Sequence, residues 1–227
     1  KVYVAFTADI LHEGHFNILN KAASLGEITV GLLTDKSIGD YKQIPLLNYS
    51  QREIIVKNLK MVKNVVPQHT LDYRPNLRKI KPDFVVHGDD WKKGILKKTR
   101  LQVISELRKW SGKLIEVPYT KNISSSIIKS NIMKPYLQKD NRTSLLSRLI
   151  KVKDIVRIIE AHSPLSGLIA EKMQVKEKNQ LIGFDGFWSS SLADSLVRGK
   201  PDNQSVDLST RISALNEILD ITSKAII

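Results

Sequence analysis

Cysteine is absent from all 227 residues. That excludes a disulfide framework and any thiolate-held metal, so a metal site would rest on carboxylates and the five histidines. It also fits a reducing compartment, and the cytoplasm is the expected location. No apolar run approaches the length of a membrane span and no secretory signal is visible, so no membrane partner is expected. The chain opens on Lys1 rather than methionine, which implies a start at residue two or later of the gene product. Aromatic residues make up only 6% and show no stacking-platform spacing, which counts against a nucleic-acid-binding module. There is no internal repeat and no low-complexity tract.

What is present is aliphatic bulk and positive charge. A hydrophobic fraction of 41% is enough to bury real cores, and the length suits two domains. The net charge is +13. From Asn141 onward 12 Lys and Arg face 10 Asp and Glu, so +11 of that charge lies on the first 140 residues. A basic half suggests an anionic partner: nucleic acid, anionic lipid or a polyphosphate substrate. The plainer explanation is a solvated lysine-rich surface, with Lys57–Lys63 and Lys92–Arg100 reading as helix faces.

Short β-branched runs alternate with helical spacing. Val2–Phe6, Ile28–Leu33, Val65–Val66, Phe84–Val86 and Leu114–Val117 read as buried strands. Helices are predicted from Gly14 to a stop at Gly26, and over Ser50–Val62 with Ser50 as N-cap and Glu53 at capping-box spacing. Strand–helix alternation argues an α/β fold with a parallel sheet, which binds ligands where strands end and helices begin. Met133–Ser144 is polar and carries a proline, and reads as a linker. Beyond it the pattern restarts: strand Ile155–Glu160, helix Leu165–Met173, strand Gly183–Trp188 and a long helix around Thr210–Ala225.

The stretch "ADILHEGHFNIL" joins the first strand to the first helix. Helix N-termini present unpaired N–H groups and partial positive charge, so they attract phosphate. Gly14 lets a phosphate approach the backbone. Imidazoles at His12 and His15 can hold charge developing on a phosphoryl group in flight. Two ordinary histidines at a helix start, or a metal pair completed by carboxylates, remain alternatives. Asp89, Asp90 and Trp91 follow a strand. An indole offers a face for a pyrimidine, and a carboxylate can accept from an exocyclic amine; helix caps before a buried tryptophan are the alternative. Ser124, Ser125 and Ser126 open another helix, where hydroxyls and free N–H groups suit a triphosphate or a plain cap. Lys42 and Arg52 are cations able to neutralise phosphate, or surface charges.

These stretches together resemble the HxGH nucleotidylyltransferase superfamily. "TADILHEGH" carries the signature. "YSQREIIV" is similar to the arginine-bearing helix of glycerol-3-phosphate and phosphoethanolamine cytidylyltransferases, "HGDDW" to their GDDW-like loop, and "VPYTKNISSSIIK" to their RTxGISTTxI motif. The resemblance implies a Rossmann-like nucleotidylyltransferase domain over 1–133. It implies His12, His15 and Lys42 as catalytic, with Lys42 on the transferring phosphate and Arg52 at the substrate end. It places Thr7, Ala8, Gly14, Arg52, Asp89, Asp90, Trp91, Thr120, Ile123, Ser124 and Ser125 around the nucleotide. Tyr119 stands where the glycerol-phosphate enzymes carry arginine, and Asn122 where they carry glycine. An anion contact is lost there, which leaves the acceptor open.

After a linker at 134–147, residues 148–227 resemble phosphoenolpyruvate mutase, of the isocitrate lyase superfamily. "IIEAHSPLSGLIAEKM" is similar to its EAHxGLSA strand. Trp188, Ser190, Ser191 and Leu192 occupy its phosphoryl-holding turn, with Ser191 in place of a glycine. Asp202 falls at its aspartate position; on spacing alone it would be a loop aspartate. Backbone N–H groups of such a turn can hold phosphoryl oxygens, and a carboxylate can accept and return a phosphoryl group. The link "QVKEKNQLI" is longer than the family's. The metal loop and gating loop of that family are not present, and about eighty residues cannot close a (β/α)8 barrel. The first part of a barrel is therefore expected, and by itself it should not interconvert phosphoenolpyruvate and phosphonopyruvate.

The two resemblances imply a bifunctional enzyme of phosphonate biosynthesis. Its partners would be CTP, a phosphonate acceptor (2-aminoethylphosphonate or 2-hydroxyethylphosphonate) and phosphoenolpyruvate. Mg2+ would travel with CTP and serve the mutase; no protein-held metal site is predicted, and a homo-oligomer is expected. A cytidylyltransferase for glycerol 3-phosphate, an adenylyltransferase and a nucleic-acid-binding module are the rival readings.

Overall fold

The computed structural model describes residues 1–41, 44–94, 96–120, 125, 128, 139–177 and 180–227. Lys42, Asn122, Ile123, Ser124 and Ser126, all singled out by the sequence, lie outside the described residues. The chain forms two compact units, Lys1–Lys129 and Ser130–Ile227.

In the first unit, β1 (Val2–Phe6), α1 (Glu13–Ala23), β2 (Ile28–Leu33), α2 (Asp35–Gly39), α3 (Tyr49–Lys57), β3 (Val62–Gln68), α4 (Arg74–Ile80), β4 (Phe84–Gly88), α5 (Lys97–Leu107) and β5 (Lys113–Val117) follow in order. The five strands make one parallel sheet in the order β3-β2-β1-β4-β5. The chain order reverses between β1 and β4, and the ligand crevice of such a sheet opens beyond the carboxyl ends of those two strands.

β1 reads as a continuous apolar run because both of its faces are covered. Val2, Val4 and Phe6 pack with Leu19 and Ala22 of α1 and Val56 of α3. Tyr3 and Ala5 pack on the opposite side with Leu77 of α4 and Val103 and Leu107 of α5. Period-two alternation decides which residue meets which layer. Gly31 on β2 is needed for the same packing, since a Cβ there would lie 1.8 Å from the Tyr3 hydroxyl.

Two helix limits differ from the sequence expectation. The N-cap of α3 is Asn48, not Ser50: its Oδ1 accepts from the Gln51 amide and Gln51 Oε1 accepts from the Asn48 amide, each at 3.0 Å. That box closes two residues earlier and leaves Ser50 inside the helix. At the other end the Asn58 side chain donates to the Ile54 carbonyl, and α3 stops at Lys57. Lys57–Lys63 thus runs from the last residue of α3 through a turn into β3, and is not a helix face. Lys92–Arg100 is likewise broken, because Asp89–Lys92 is a 3-10 turn and α5 starts at Lys97.

The second unit contains α6 (Lys139–Val152), β6 (Ile158–Glu160), α7 (Pro164–Lys172), β7 (Gln174–Glu177), β8 (Gln180–Gly183), β9 (Gly186–Trp188), α8 (Ser191–Val197), α9 (Leu208–Ile221) and β10 (Ala225–Ile226). β6, β9 and β10 pair in parallel, as successive strand–helix units of a barrel do. Phe187, Ala161, Ala170 and Ile218 form its core. Of the expected linker, 134–138 lie outside the described residues, and the chain is helical from Lys139. The long link folds as an antiparallel hairpin, β7 on β8, so only Gly186–Trp188 of the expected strand joins the parallel sheet. The last helix is capped by Asp207 and ends at Ile221, which frees Ala225 and Ile226 to pair with β9.

Candidate active site

β1 ends in a sharp turn at buried Ala8, which holds the left-handed backbone (φ 51°) that side chains disfavour. The turn releases the chain toward His12, whose extended backbone N-caps α1. The two imidazoles cap the helix reciprocally. His12 Nδ1 accepts from the Gly14 amide at 3.2 Å, and His15 Nδ1 accepts from the His12 amide at 3.3 Å. The rings lie 4.1 Å apart, centroid to centroid. A ring nitrogen that accepts carries no proton, so each neutral ring keeps its proton on Nε2. Burial lowers the His12 pKa below its ordinary value and favours that neutral form. Gly14 keeps the ring clear: a Cβ there would sit 3.1 Å from the His12 ring, which would have to shift by a few tenths of an ångström.

Three other segments converge on this helix start. The first is the stretch after β5: Asn17 Nδ2 of α1 donates to Thr120 Oγ1 at 3.0 Å, and the Tyr119 amide donates to Asp89 Oδ1 at 2.9 Å. The second is Ser125, whose hydroxyl donates to the Ile10 carbonyl at 3.1 Å. The third is the loop before α3. Buried Asp9 accepts from the Leu46 and Leu47 amides at 2.7 and 3.3 Å.

Arg52 departs from its expected place at the substrate end. It is fully buried. Its guanidinium donates to the carbonyls of Leu47, Thr7 and Leu33 and to Asp35 at 2.6 Å. Four of its five N–H donors are thereby used. Arg52 ties the ends of β1 and β2 together; Thr7 enters the site through this backbone tie, its side chain being buried.

Trp91 also departs from expectation. Only 1% of it is exposed. His87 stacks on one face at 3.8 Å with planes 4° apart, and the indole N–H donates to Glu116 at 2.8 Å. No base can lie on a face already covered. Glu116 also takes both forks of Arg100, whose hydrogen bond holds its carboxyl down at about 2. His87 donates from Nδ1 to the Gly88 carbonyl, and burial lowers its pKa. Of the aspartates, Asp89 is spent partly on Tyr119, whereas the Asp90 side chain is half exposed.

In the second unit, Ser190 caps α8 by accepting from the Ala193 amide at 3.3 Å. Ser191 Oγ donates to Asp202 Oδ2 at 3.2 Å, and Arg211 approaches Asp202 at 3.8 Å. Trp188 and Leu192 are more than half exposed at the same sheet end. The sequence thus brings its four turn residues and Asp202 to one place.

Asp9, Asn17 and Glu116 were not visible as site residues in the sequence. Asn17 had one available sign: it lies three residues after Gly14, on the same side of α1. Asp9 and Glu116 earn their positions from remote backbone and arginine partners, which no local spacing reveals. Among the described residues no cluster of three or more His, Asp or Glu stands ready for a metal. No helix among them is long and apolar enough to cross a membrane.

Comparison with known proteins agrees with this geometry. Residues 146–227 match the family Phosphoenolpyruvate phosphomutase. FAD synthase of Korarchaeum cryptofilum (strain OPF8) is 41% identical over 97 residues, 40% of this chain and 65% of that protein. Glycerol-3-phosphate cytidylyltransferase of Bacillus spizizenii (strain ATCC 23059 / NRRL B-14472 / W23) is 32% identical over 40% of this chain and 73% of its own length. Ethanolamine-phosphate cytidylyltransferase of Dictyostelium discoideum is 33% identical over 56% and 34%. The chain spans between 57% and 66% of the length of five FAD synthases that it matches. Residues 6–131, which include the β1–α1 turn, the GDDW stretch and the segment after β5, match the family Cytidylyltransferase-like, and the chain belongs to that family.

Proposed function

We propose that the first unit transfers a cytidylyl group from CTP to a phosphonate, releasing pyrophosphate and a CMP-phosphonate. The observation that carries this reading is the reciprocally capped histidine pair at the switch point of the parallel sheet, in a chain of the Cytidylyltransferase-like family. The acceptor's oxyanion attacks the α-phosphorus in line, the bond to the bridging oxygen breaks, and pyrophosphate takes the electron pair. The Nε2–H groups of His12 and His15 donate to the charge spreading over the phosphoryl oxygens. Lys42 adds a cation on the transferring phosphate. The nucleotide enters as its Mg2+ complex, so the ion is part of the substrate. Asp90 accepts from the cytosine amine. The second unit, with Asp202 beside the turn at Ser190 and Ser191, belongs to an activity interconverting phosphoenolpyruvate and phosphonopyruvate. An enzyme that makes a C–P bond supplies phosphonates, which is the reason for choosing a phosphonate as acceptor.

Adenylyl transfer is the second reading, favoured by the 41% identity to an FAD synthase. Pyrophosphate release from CTP, ATP and UTP, each against 2-aminoethylphosphonate, 2-hydroxyethylphosphonate, glycerol 3-phosphate and phosphoethanolamine, separates them. CTP with a phosphonate should give the highest kcat/KM. A clear win for ATP rejects the base assignment, and a clear win for glycerol 3-phosphate rejects the acceptor. His12→Ala or His15→Ala should lower kcat about a hundredfold or more and leave the KM for CTP within a few-fold.

A further inference from the structure

Asn17 is a part of the site that neither motif nor resemblance assigns. It lies one turn into α1, and its amide Nδ2 donates to Thr120 Oγ1 at 3.0 Å across 103 residues of chain. A threonine hydroxyl holds one proton and two lone pairs. Once a lone pair accepts from Asn17, the hydroxyl's own proton points elsewhere. What lies beside it is the start of α1: Thr120 Oγ1 is 3.5 Å from where a Cβ on Gly14 would stand. The chain around Thr120 is pinned a second time, because Asp89 at the end of β4 accepts the preceding amide, that of Tyr119. Two elements therefore fix the backbone and the hydroxyl independently.

We propose that Asn17 is a positioning residue that makes the Thr120 hydroxyl a donor to a phosphate bound at the histidine-capped start of α1. The inference rests on the nucleotidyl-transfer reading for the identity of the phosphate, but not for the direction of the hydroxyl. An amide at position 17 can donate to Thr120; a carboxylate at the same position can only accept. Asn17→Asp keeps the shape and reverses the hydrogen bond, turning the Thr120 proton away from the phosphate and adding a repelling charge.

Calorimetric titration of the whole chain with CTP and, separately, with inorganic pyrophosphate tests this, using Asn17→Ala, Asn17→Asp, Thr120→Ala and the Asn17→Ala/Thr120→Ala double variant. Thr120→Ala should weaken both ligands roughly tenfold, the loss of one hydrogen bond to a charged group. Asn17→Asp should weaken them at least as much, and Asn17→Ala less. The double variant should be no worse than Thr120→Ala, because Asn17 acts only through that hydroxyl. All four should melt within a few degrees of the parent. Independent, multiplying losses in the double variant overturn the proposal. So does an Asn17→Asp variant that binds both ligands as the parent does, or a variant whose only change is its melting temperature. Pyrophosphate-release assays on the same proteins keep the two claims apart. A parent that binds pyrophosphate yet transfers no nucleotide ends the functional reading, while the coupling between Asn17 and Thr120 is still decided by the affinities.

Discussion

The two units are stabilised on different scales. Between its helical layers the first holds a five-stranded parallel sheet, with clusters of 11 and 10 buried apolar residues among the described residues. Among its described residues the second has three short parallel strands, a two-stranded hairpin and a cluster of four. Its helices α7 and α8 leave Leu165, Leu168, Ile169, Leu192 and Leu196 between 43% and 67% exposed. Burying such a side chain stabilises by about 1.5–3 kcal/mol, so the contrast is large in free energy. The same strand–helix rule builds both; the number of buried apolar residues that pack together differs. A sheet face protects its hydrogen bonds only when something lies on it.

That contrast can be broken in order of expected effect. The largest belongs to Arg52→Ala. It removes the guanidinium from Asp35 and from three carbonyls at the ends of β1 and β2 and before α3, leaving Asp35 only the Tyr49 amide among the described residues, and loss of one partner of a buried pair costs about 3–5 kcal/mol. Hydrogen exchange should show the loss in amides of β1, β2 and the turn before α3. A melting temperature unchanged by more than a degree would mean that the carbonyls find other donors.

Phe187→Ala comes next. It removes the largest member of the four-residue core, at about 3 kcal/mol, the low end for a phenylalanine in a site that can relax. A core so small has little to spare, so β6 and β10 amides should lose nearly all protection. In the first unit, one valine such as Val4 exchanged for alanine should leave most protection intact.

Alkaline titration sharpens the comparison by sign. In the first unit burial raises the pKa of Tyr3, Tyr41 and Tyr73, that of Tyr41 to about 12. A raised folded pKa contributes stability present below the unfolded value near 10 and lost as pH climbs toward 12. In the second unit burial lowers the pKa of Lys224. Its unfolded form binds the proton more tightly, so stability rises as pH approaches 10.5. Denaturation followed by unit-resolved exchange between pH 9 and 11 should give slopes of opposite sign. In acid, lowered His12 and His87 add a loss in the first unit that begins as pH drops below about 6.5.

The smallest effects lie at helix caps. Ser190→Ala in the second unit and Asn48→Ala in the first should each cost about 1 kcal/mol. Ser190 also stands in the turn proposed to hold a phosphoryl group, so its variant tests whether that turn matters beyond stability.

The strand–helix alternation of a parallel sheet, the turn from β1 into α1, and the grouping of Ser190, Ser191 and Asp202 were legible in the sequence. Each rests on a local pattern: an apolar run with two covered faces, a cap, or a motif whose parts lie close along the chain. Arg52 and Trp91 carried the same motif evidence, and the structure buries both. Spacing states that a cation or an indole is present, but not what its polar atoms meet. Arg52 is buried because three backbone carbonyls and Asp35, from separate elements, converge on one guanidinium. Trp91 is closed off because His87 and Glu116 reach it from β4 and β5. The sequence by itself determined the α/β class and the histidine-bearing helix start, since both follow from periodicity and from groups adjacent in the chain. Only the tertiary structure decided which charged and aromatic residues face the site, which hydroxyl Asn17 holds, and which protons the histidines keep. Those depend on hydrogen-bond partners tens of residues away, brought together by packing that no short window of sequence contains.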